Sequence, residues 1–521
     1  MRILYYNWAD YRAPERRGGG VSVYQRNLID GLSRVEGVET AFLSSGLAYD
    51  LRRREPHVVT LDHGASPRYT LVNSGLIAPS HADFSGPAQL DHAATETAFA
   101  EFIERTGPWD VIHFNNLEGL PANVLNLKRR WPDTRFVLSL HNYYPFCPQV
   151  NLWFAERETC TDYHAGANCT RCLTAQPEPR SIRTAYAMAW TLSRIGLGPG
   201  TMFYDWLFRP GMGLAWRSLR QLLNARHHRA AAPTVLVGAA ADGPHVAARL
   251  DVASPPPCKA PRVAPPPAHT LDDHAHPGRL FERRRARMVA LINAHCDEVL
   301  CVSDRVRQIA LNHGVHASRL KTLYIGSAEA AEWHYSHAKP HFLAADGTIR
   351  LAYLGYMRRD KGFHFLMRAL RALPQPMARR VRLTIAARTG DAEAKAALDA
   401  LRPHLAELRH VNGYAHDDLR DLLADVDLGL VPVIWEDNLP QVAIEMHARH
   451  IPLLTSDRGG AQELGRSPGF VFRADDIDHF HHVLCRVLDG ELLPGDYWAH
   501  AVPPTSLSDH IAALLTLYRK T

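Results

Sequence analysis

Short apolar runs recur along the first part of the chain, separated by stretches in which apolar side chains return at helical spacing. Arg2 to Tyr6 reads as a strand, and Val21, Tyr24, Leu28 and Leu32 share one face of a following helix. Asp110 to Asn116 and Arg135 to Leu140 read as further strands, each ending in a polar loop. This alternation predicts a doubly wound α/β layer with a parallel sheet. It fails over residues 145–285, which reads as an insertion, and resumes with a helix over Met288 to Cys296 and strands over Glu298 to Ser303 and Leu320 to Ile325. Glu329 to Gly347 reads as a connection, Arg350 to Leu488 as a second α/β layer, and Leu507 to Tyr518 as a last helix. The expected division is a first domain over 1–345, a second over 346–500, and a terminal helix within 501–521.

Ligands of open α/β sheets gather at the carboxyl ends of the strands. That places Gly18, Gly19, Gly20, His113 and His141 around one crevice. In the second layer, the apolar run ending Val431-Pro432-Val433-Ile434 leads into Trp435-Glu436-Asp437-Asn438-Leu439-Pro440-Gln441, with Glu445 beyond. A strand, a polar turn and a helix beginning near Asn438 would point backbone N–H groups at a phosphate. Asp437 is expected at the N-cap, and Glu445 on the same face as Gln441. Such carboxylates suit the hydroxyls of a sugar or ribose. Upstream, strand Arg350 to Leu354 runs into Gly355-Tyr356-Met357-Arg358-Arg359-Asp360-Lys361-Gly362. Downstream, Ile451 to Ser456 is followed by Arg458-Gly459-Gly460 and Glu463.

Taken in this order, these segments resemble the retaining GT-B glycosyltransferases of glycosyltransferase family 4. The second-layer turn is similar to the family's acidic-x7-Glu signature, in the variant whose first acid precedes Asn-Leu-Pro. The resemblance implies two Rossmann-like domains with parallel sheets facing across a cleft. It implies that Lys361 neutralises the donor diphosphate, helped by the amides of Asn438–Leu439 and Gly18–Gly20, with Gly355, Arg358, Arg359 and Gly362 forming the phosphate turn. Glu445 would bind ribose hydroxyls and Asp437 those of the transferred sugar, with Gln441 and Glu436 nearby. His141 would stand near the sugar and the acceptor, and the terminal helix would cross back onto the first domain. The chain departs from the pattern at Tyr356, where the family has a cation, and at Asn142, where it often has Asp. Asp437 stands in place of Glu, and the adjacent Glu436 leaves the sugar-contacting carboxylate ambiguous by one residue. Asp425-Val426-Asp427 reads as a helix-to-strand junction rather than a metal-binding Asp-x-Asp, so no metal is expected in catalysis.

The implied activity is retaining transfer of a hexose from a nucleoside-diphosphate sugar to a saccharide or lipid-linked saccharide, in cell-envelope or exopolysaccharide synthesis. The alternative is a non-catalytic nucleotide-sugar-binding or assembly subunit, which the Tyr356 and Asp437 departures favour.

Composition changes this picture little. A net charge of +5 over 521 residues, with no basic runs, gives no reason to expect nucleic acid. No apolar run approaches the ~20 residues that span a bilayer, and the opening MRILYY reads as a core strand rather than a leader. The expected location is cytoplasmic.

The insertion divides into a cysteine cluster over 147–172, a helical stretch over 180–228 and a proline-rich loop over 244–279. Cys147, Cys160, Cys169 and Cys172 fit a structural zinc, weighed evenly against four unrelated thiols. The helical stretch is rich in Trp, Phe, Leu and Arg. It reads as a hairpin packed on the first domain, with peripheral contact to the inner membrane face as the competing reading.

Overall fold

The computed structural model describes residues 1–15, 17–173, 178–211 and 278–519. Among the described residues, sixteen strands are interspersed with helices. The first sheet contains β1 (Arg2–Tyr6), β2 (Glu39–Ser45), β3 (His57–Asp62), β4 (Arg68–Val72), β5 (Val111–Phe114) and β6 (Arg135–Leu140). A two-stranded hairpin follows, β7 (Trp153–Phe154) with β8 (Glu158–Thr159), before β9 (Glu298–Cys301) and β10 (Leu320–Thr322) rejoin the first sheet. Its order is β10-β9-β6-β5-β1-β2-β4-β3, parallel except for the edge pair β3–β4. The second sheet holds β11 (Ile349–Leu354), β12 (Val381–Ala386), β13 (Glu407–Val411), β14 (Leu428–Val431), β15 (Leu453–Ser456) and β16 (Val471–Phe472). It is wholly parallel, in the order β13-β12-β11-β14-β15-β16.

Helices cover both faces of such sheets, so the central strands are apolar along their whole length. Accordingly, Ile3, Leu4, Tyr5 and Tyr6 of β1 are all buried, as are Leu351, Ala352, Tyr353 and Leu354 of β11. In each sheet the chain starts at a middle strand, works outward and then reverses. The reversal lies between β1 and β5 in the first sheet and between β11 and β14 in the second. At these switch points adjacent loops diverge and leave a crevice for a ligand.

The terminal helix, Leu507–Arg519, packs against helix Gly19–Leu32 of the first domain. His510 bonds the Tyr24 hydroxyl at 2.8 Å and the Tyr324 carbonyl through its other nitrogen, also at 2.8 Å. The Tyr518 hydroxyl meets that of Tyr5 at 3.1 Å and also bonds His113. His113 is therefore not a crevice residue, as strand-end reasoning expected. It is fully buried, held between Tyr518 and the Ser139 hydroxyl. The two chain segments passing between the domains touch in a parallel bridge, Ser327 with Ser506, and Ser327 N–H donates to the Thr505 carbonyl at 3.1 Å.

Within the insertion, the stretch read as helical contains helix Pro179–Arg194 and a π-helical turn Phe203–Phe208. Residues 212–228 of that stretch, and the proline-rich loop up to residue 277, lie outside the described residues. The helix packs through Tyr186 and Ala187 onto a small core with Tyr49, Ile77 and Ala82 of the first domain. Among the described residues, no helix is long and apolar enough to cross a membrane.

Candidate active site

Loops from the two switch points meet. The turn after β14 does not start its helix at Asn438, and Asp437 is not its N-cap: the helix runs Gln441–His447 with Pro440 at the N-cap position. Pro440 is the reason, because the residue before a proline is pushed away from helical backbone, keeping Leu439 out of the helix. Asp437 is freed for another partner. Its carboxylate lies 2.6 Å from Lys361 Nζ, and that ammonium sits 5.0 Å from the centre of the Trp435 ring.

Lys361 is delivered by a tight turn after β11. Gly355 closes the strand at φ +131°, and Gly362 begins helix Phe363–Arg371 at φ +75°. A side chain at Gly362 would put Cβ 1.7 Å from the Pro432 carbonyl oxygen, so glycine alone lets the two loops close on each other. Arg358 and Arg359, the expected helpers of Lys361, are both engaged. Arg358 Nε bonds Asp360 at 2.9 Å, and Arg359 reaches Glu393 at 3.3 Å on the surface. Tyr356 points outward, 58% exposed.

Glu436 and Asp437 differ in their partners. Glu436 is 3% exposed and caught between two guanidinium groups, Arg305 Nε at 2.8 Å and Arg458 at 3.1 Å, with Gly459 N–H at 3.2 Å. Burial opposes its ionisation, but Arg305 and these other donors outweigh it and hold its carboxyl below the usual range. Glu436 is thus a structural anchor, and Asp437 is the carboxylate facing the lysine. The Gly459-Gly460 loop wraps this turn closely. A Cβ on Gly459, at φ +70°, would lie 2.0 Å from the Asp437 carbonyl oxygen, and Gly460 N–H donates to that same oxygen at 3.0 Å.

Glu445 occupies the buried face of its short helix, 4% exposed. One carboxylate oxygen has no partner; the other lies 3.6 Å from His416 Nδ1. Burial pushes its carboxyl up to about 7, with the His416 charge pulling the other way.

Across the crevice, Gly18 is the N-cap of helix Gly19–Leu32, so Gly19 and Gly20 form its first turn. Gln441 Nε2 donates to the Gly20 carbonyl at 3.0 Å. Asn438 is buried and joined to the first domain twice: its carbonyl accepts from Ser303 Oγ at 2.7 Å, and its amide donates to the Leu140 carbonyl at 3.4 Å. Leu439 is buried beside it. His141, next after Leu140, bonds Asn115 Oδ1 at 3.2 Å and lies 5.0 Å from the Tyr24 ring centre. Burial, with the His510 charge adding to it, pushes its pKa down to about 3, so the imidazole is neutral at physiological pH.

The structure therefore gathers Gly18–Gly20, His141, Lys361, Asp437, Asn438, Gln441 and Glu445 at the junction, while giving Arg358, Arg359 and Glu436 to other partners. Sequence reasoning passed over Glu118. It is fully buried, accepts from Ser80 N–H at 2.7 Å and Asn142 at 2.8 Å, and holds the turn that carries His141. It also passed over Arg305 and His416, whose partners lie far away in the chain. Glu463 accepts the N–H groups of Asp304 and Arg305 at 2.8 and 2.7 Å, capping a first-domain helix from the second domain.

These features sit on a chain with measurable relatives. Residues 348–490 match the family of glycosyl transferases group 1. A search of curated proteins finds no match. Three solved structures align over essentially the whole chain. Sucrose-phosphate synthase from Thermosynechococcus elongatus shares 12% identity at a TM-score of 0.52, covering 100% of this chain and 98% of its own. Anabaena HepE, solved with UDP, shares 11% at 0.53, covering 99% of each chain. A UDP-forming trehalose-phosphate synthase from Burkholderia xenovorans shares 14% at 0.52, covering 100% and 98%. Similarity at this level shows the fold: the group 1 domain is half of a GT-B architecture whose other half is the first sheet.

The four cysteines belong to the first half. Cys147, Cys169 and Cys172 are buried, and Cys160 is partly so. They are near enough that each of Cys160, Cys169 and Cys172 is held protonated by burial first and by neighbouring thiols second, with Cys169 and Cys172 pushed to about 12. Cys172 Sγ bonds Gln149 Oε1 at 3.0 Å. Among the described residues, no three His, Cys, Asp or Glu side chains are arranged to hold a metal ion.

Proposed function

We propose that this chain is a retaining glycosyltransferase that moves a hexose from a nucleoside-diphosphate sugar to a saccharide or lipid-linked saccharide, in cell-envelope or exopolysaccharide synthesis. The observation that carries the reading is Glu445, a buried carboxylate with an unpartnered oxygen at the second switch point. A buried acceptor without a donor is costly unless a ligand supplies one, and a ribose diol does. Lys361 then meets the diphosphate, exchanging Asp437 for a stronger anion and leaving Asp437 to accept from the sugar hydroxyls. Charge growing on the leaving diphosphate is stabilised by Lys361 and by the amides at the start of helix Gly19–Leu32. Neutral His141, fixed by Asn115, is suited to hydrogen-bonding at the sugar rather than acting as a cation. Positioning within the closed cleft supplies the rest of the rate.

The test is release of nucleoside diphosphate in the presence of donor and acceptor, after a thermal-shift panel of UDP-, GDP- and ADP-sugars has identified the base. Lys361→Ala and Glu445→Ala are expected to abolish release, and NMR of the product is expected to show the donor's anomeric configuration kept. Inversion would refute retention.

The second reading, a donor-binding subunit without turnover, is favoured by one observation. Every cation of the phosphate turn already has a carboxylate partner: Lys361 with Asp437, Arg358 with Asp360, Arg359 with Glu393. Tight donor binding with no nucleotide release against any acceptor would establish it.

A further inference from the structure

A carboxylate as buried as Glu445 needs a positive charge nearby to stay ionised, and two cations stand close to it. Arg449 is one. Its guanidinium is given to Glu329 at 2.6 Å, and it bonds Glu445 only at the main-chain carbonyl, at 2.9 Å. His416 is the other. It opens the short turn His416–Asp418 that follows β13, and its half-exposed imidazole places Nδ1 3.6 Å from Glu445 Oε1 and 3.9 Å from Glu329 Oε1. Two carboxylates thus share one imidazole. Because Arg449 already serves Glu329, the imidazole is the charge left to Glu445.

Nothing else around the carboxylate competes with this pairing. Besides His416, Glu329 and Arg449, the titratable group facing Glu445 among the described residues is Tyr414. Its phenol is kept protonated by burial first and by the Glu445 charge second, so it adds no charge of its own. Among the described residues, no three His, Cys, Asp or Glu side chains are arranged to hold a metal ion. The contact is also one-sided: it engages Oε1, while Oε2 is the oxygen without a partner. A carboxylate held through one oxygen presents the other in a fixed direction.

We infer that His416 is a positioning residue of the donor site: as an imidazolium it holds Oε1 of ionised Glu445 and so presents Oε2 to the ribose hydroxyls of the nucleotide sugar. The ribose clause rests on the reading of the chain as a glycosyltransferase; the pairing of His416 with Glu445 does not. Ionisation matters because a carboxylate only accepts hydrogen bonds, and a diol has two to donate. Burial pushes Glu445 up to about 7 against the pull of the His416 charge, so donor affinity should fall as pH falls through that value.

The experiment compares His416→Lys, which fixes a cation beside Glu445, with His416→Gln, which removes it. The donor is the nucleotide sugar picked out by the UDP-, GDP- and ADP-sugar panel, titrated calorimetrically between about pH 6 and pH 8.5. The midpoint of the affinity fall is expected about one pH unit lower in His416→Lys than in His416→Gln, so that at pH 7 the lysine variant binds about fivefold more tightly. A loss of packing at a half-exposed side chain would not move that midpoint. A donor-free cycle reads the pairing alone. A carboxyl raised in the folded state loses its stabilising effect as pH rises, so the fall in melting temperature from about pH 5 to pH 8 should be shallower in His416→Lys than in His416→Gln. That difference should vanish when each is combined with Glu445→Gln. Equal midpoints in the two variants overturn the inference, as does a melting difference that survives in the Glu445→Gln background. A cycle that couples the two residues in a protein that binds none of the nucleotide sugars would overturn the ribose clause and the donor reading with it, and leave the pairing standing.

Discussion

At the scale of single residues, the proposed donor site turns on Glu445. Its folded pKa lies above the ordinary carboxyl value, up to about 7, because burial disfavours the charged form. A carboxyl raised in this way favours the folded state at low pH, and that advantage is lost as pH rises from the unfolded value through the folded one. Glu445→Gln removes the loss, so the ligand-free protein is expected to melt a few degrees higher than the parent at about pH 8 and equally near pH 4. The same variant should lose the melting shift given by donor, and the parent's own donor shift should shrink as pH falls through about 7. A parent-like donor shift in Glu445→Gln would remove the residue from the site. Glu436 and Asp437 show where the sequence stopped being legible. Both are acids of the same turn, and nothing local separates them. What separates them is Arg305, which lies 131 residues away in the chain and claims Glu436.

At the scale of elements, the strands and their carboxyl-end loops were readable because parallel strands are apolar throughout and their ends carry glycine and charge. Boundaries were less so. Pro440 delays a helix that the acidic pattern placed near Asn438, a rule of local backbone that the functional motif obscured. His113 and His141 both end strands and look alike in sequence. The docking of helix Leu507–Arg519 decides between them, burying His113 under Tyr518. Tyr518→Phe leaves a buried His113 nitrogen without its partner, a cost of about 1–3 kcal/mol, and should lower the melting temperature by several degrees with donor affinity unchanged. A variant that melts with the parent would show that this hydrogen bond does not help to hold the helix. The cysteine segment carries its own test. The spacing fits one zinc per chain, but among the described residues no three of these side chains are arranged to hold one, and a bound zinc would have to displace the protons that burial retains on Cys169 and Cys172. One equivalent in metal analysis would show that the thiols regroup around zinc; zinc-free protein, with Cys169→Ser melting as the parent does, would leave them as four unrelated thiols.

At the scale of the whole molecule, the two halves meet through polar contacts placed on the candidate site itself. Arg305 reaches from the first domain to Glu436, Ser303 to Asn438, and Glu463 from the second domain to a first-domain helix start. Arg305→Ala leaves Glu436 with Arg458 and the Gly459 N–H. The expected stability loss is about 1–3 kcal/mol, since part of the compensation for the buried charge remains. Donor binding should weaken more than stability alone explains, because Asp437 is held through its neighbour. Isothermal titration of the donor against Arg305→Ala and Arg305→Lys reads this directly, and unchanged affinity in both would show the contact to be passive. No local pattern announced these contacts; they exist only once both sheets are folded and facing.

The bridge between Ser327 and Ser506 has a mechanical meaning. Both crossings between the halves run side by side and are pinned to each other at one point. Rigid bodies joined along a single line swing like a door and resist swivelling. Any opening about that line would return Lys361 to the same approach toward the glycine turn, with the two halves still aligned.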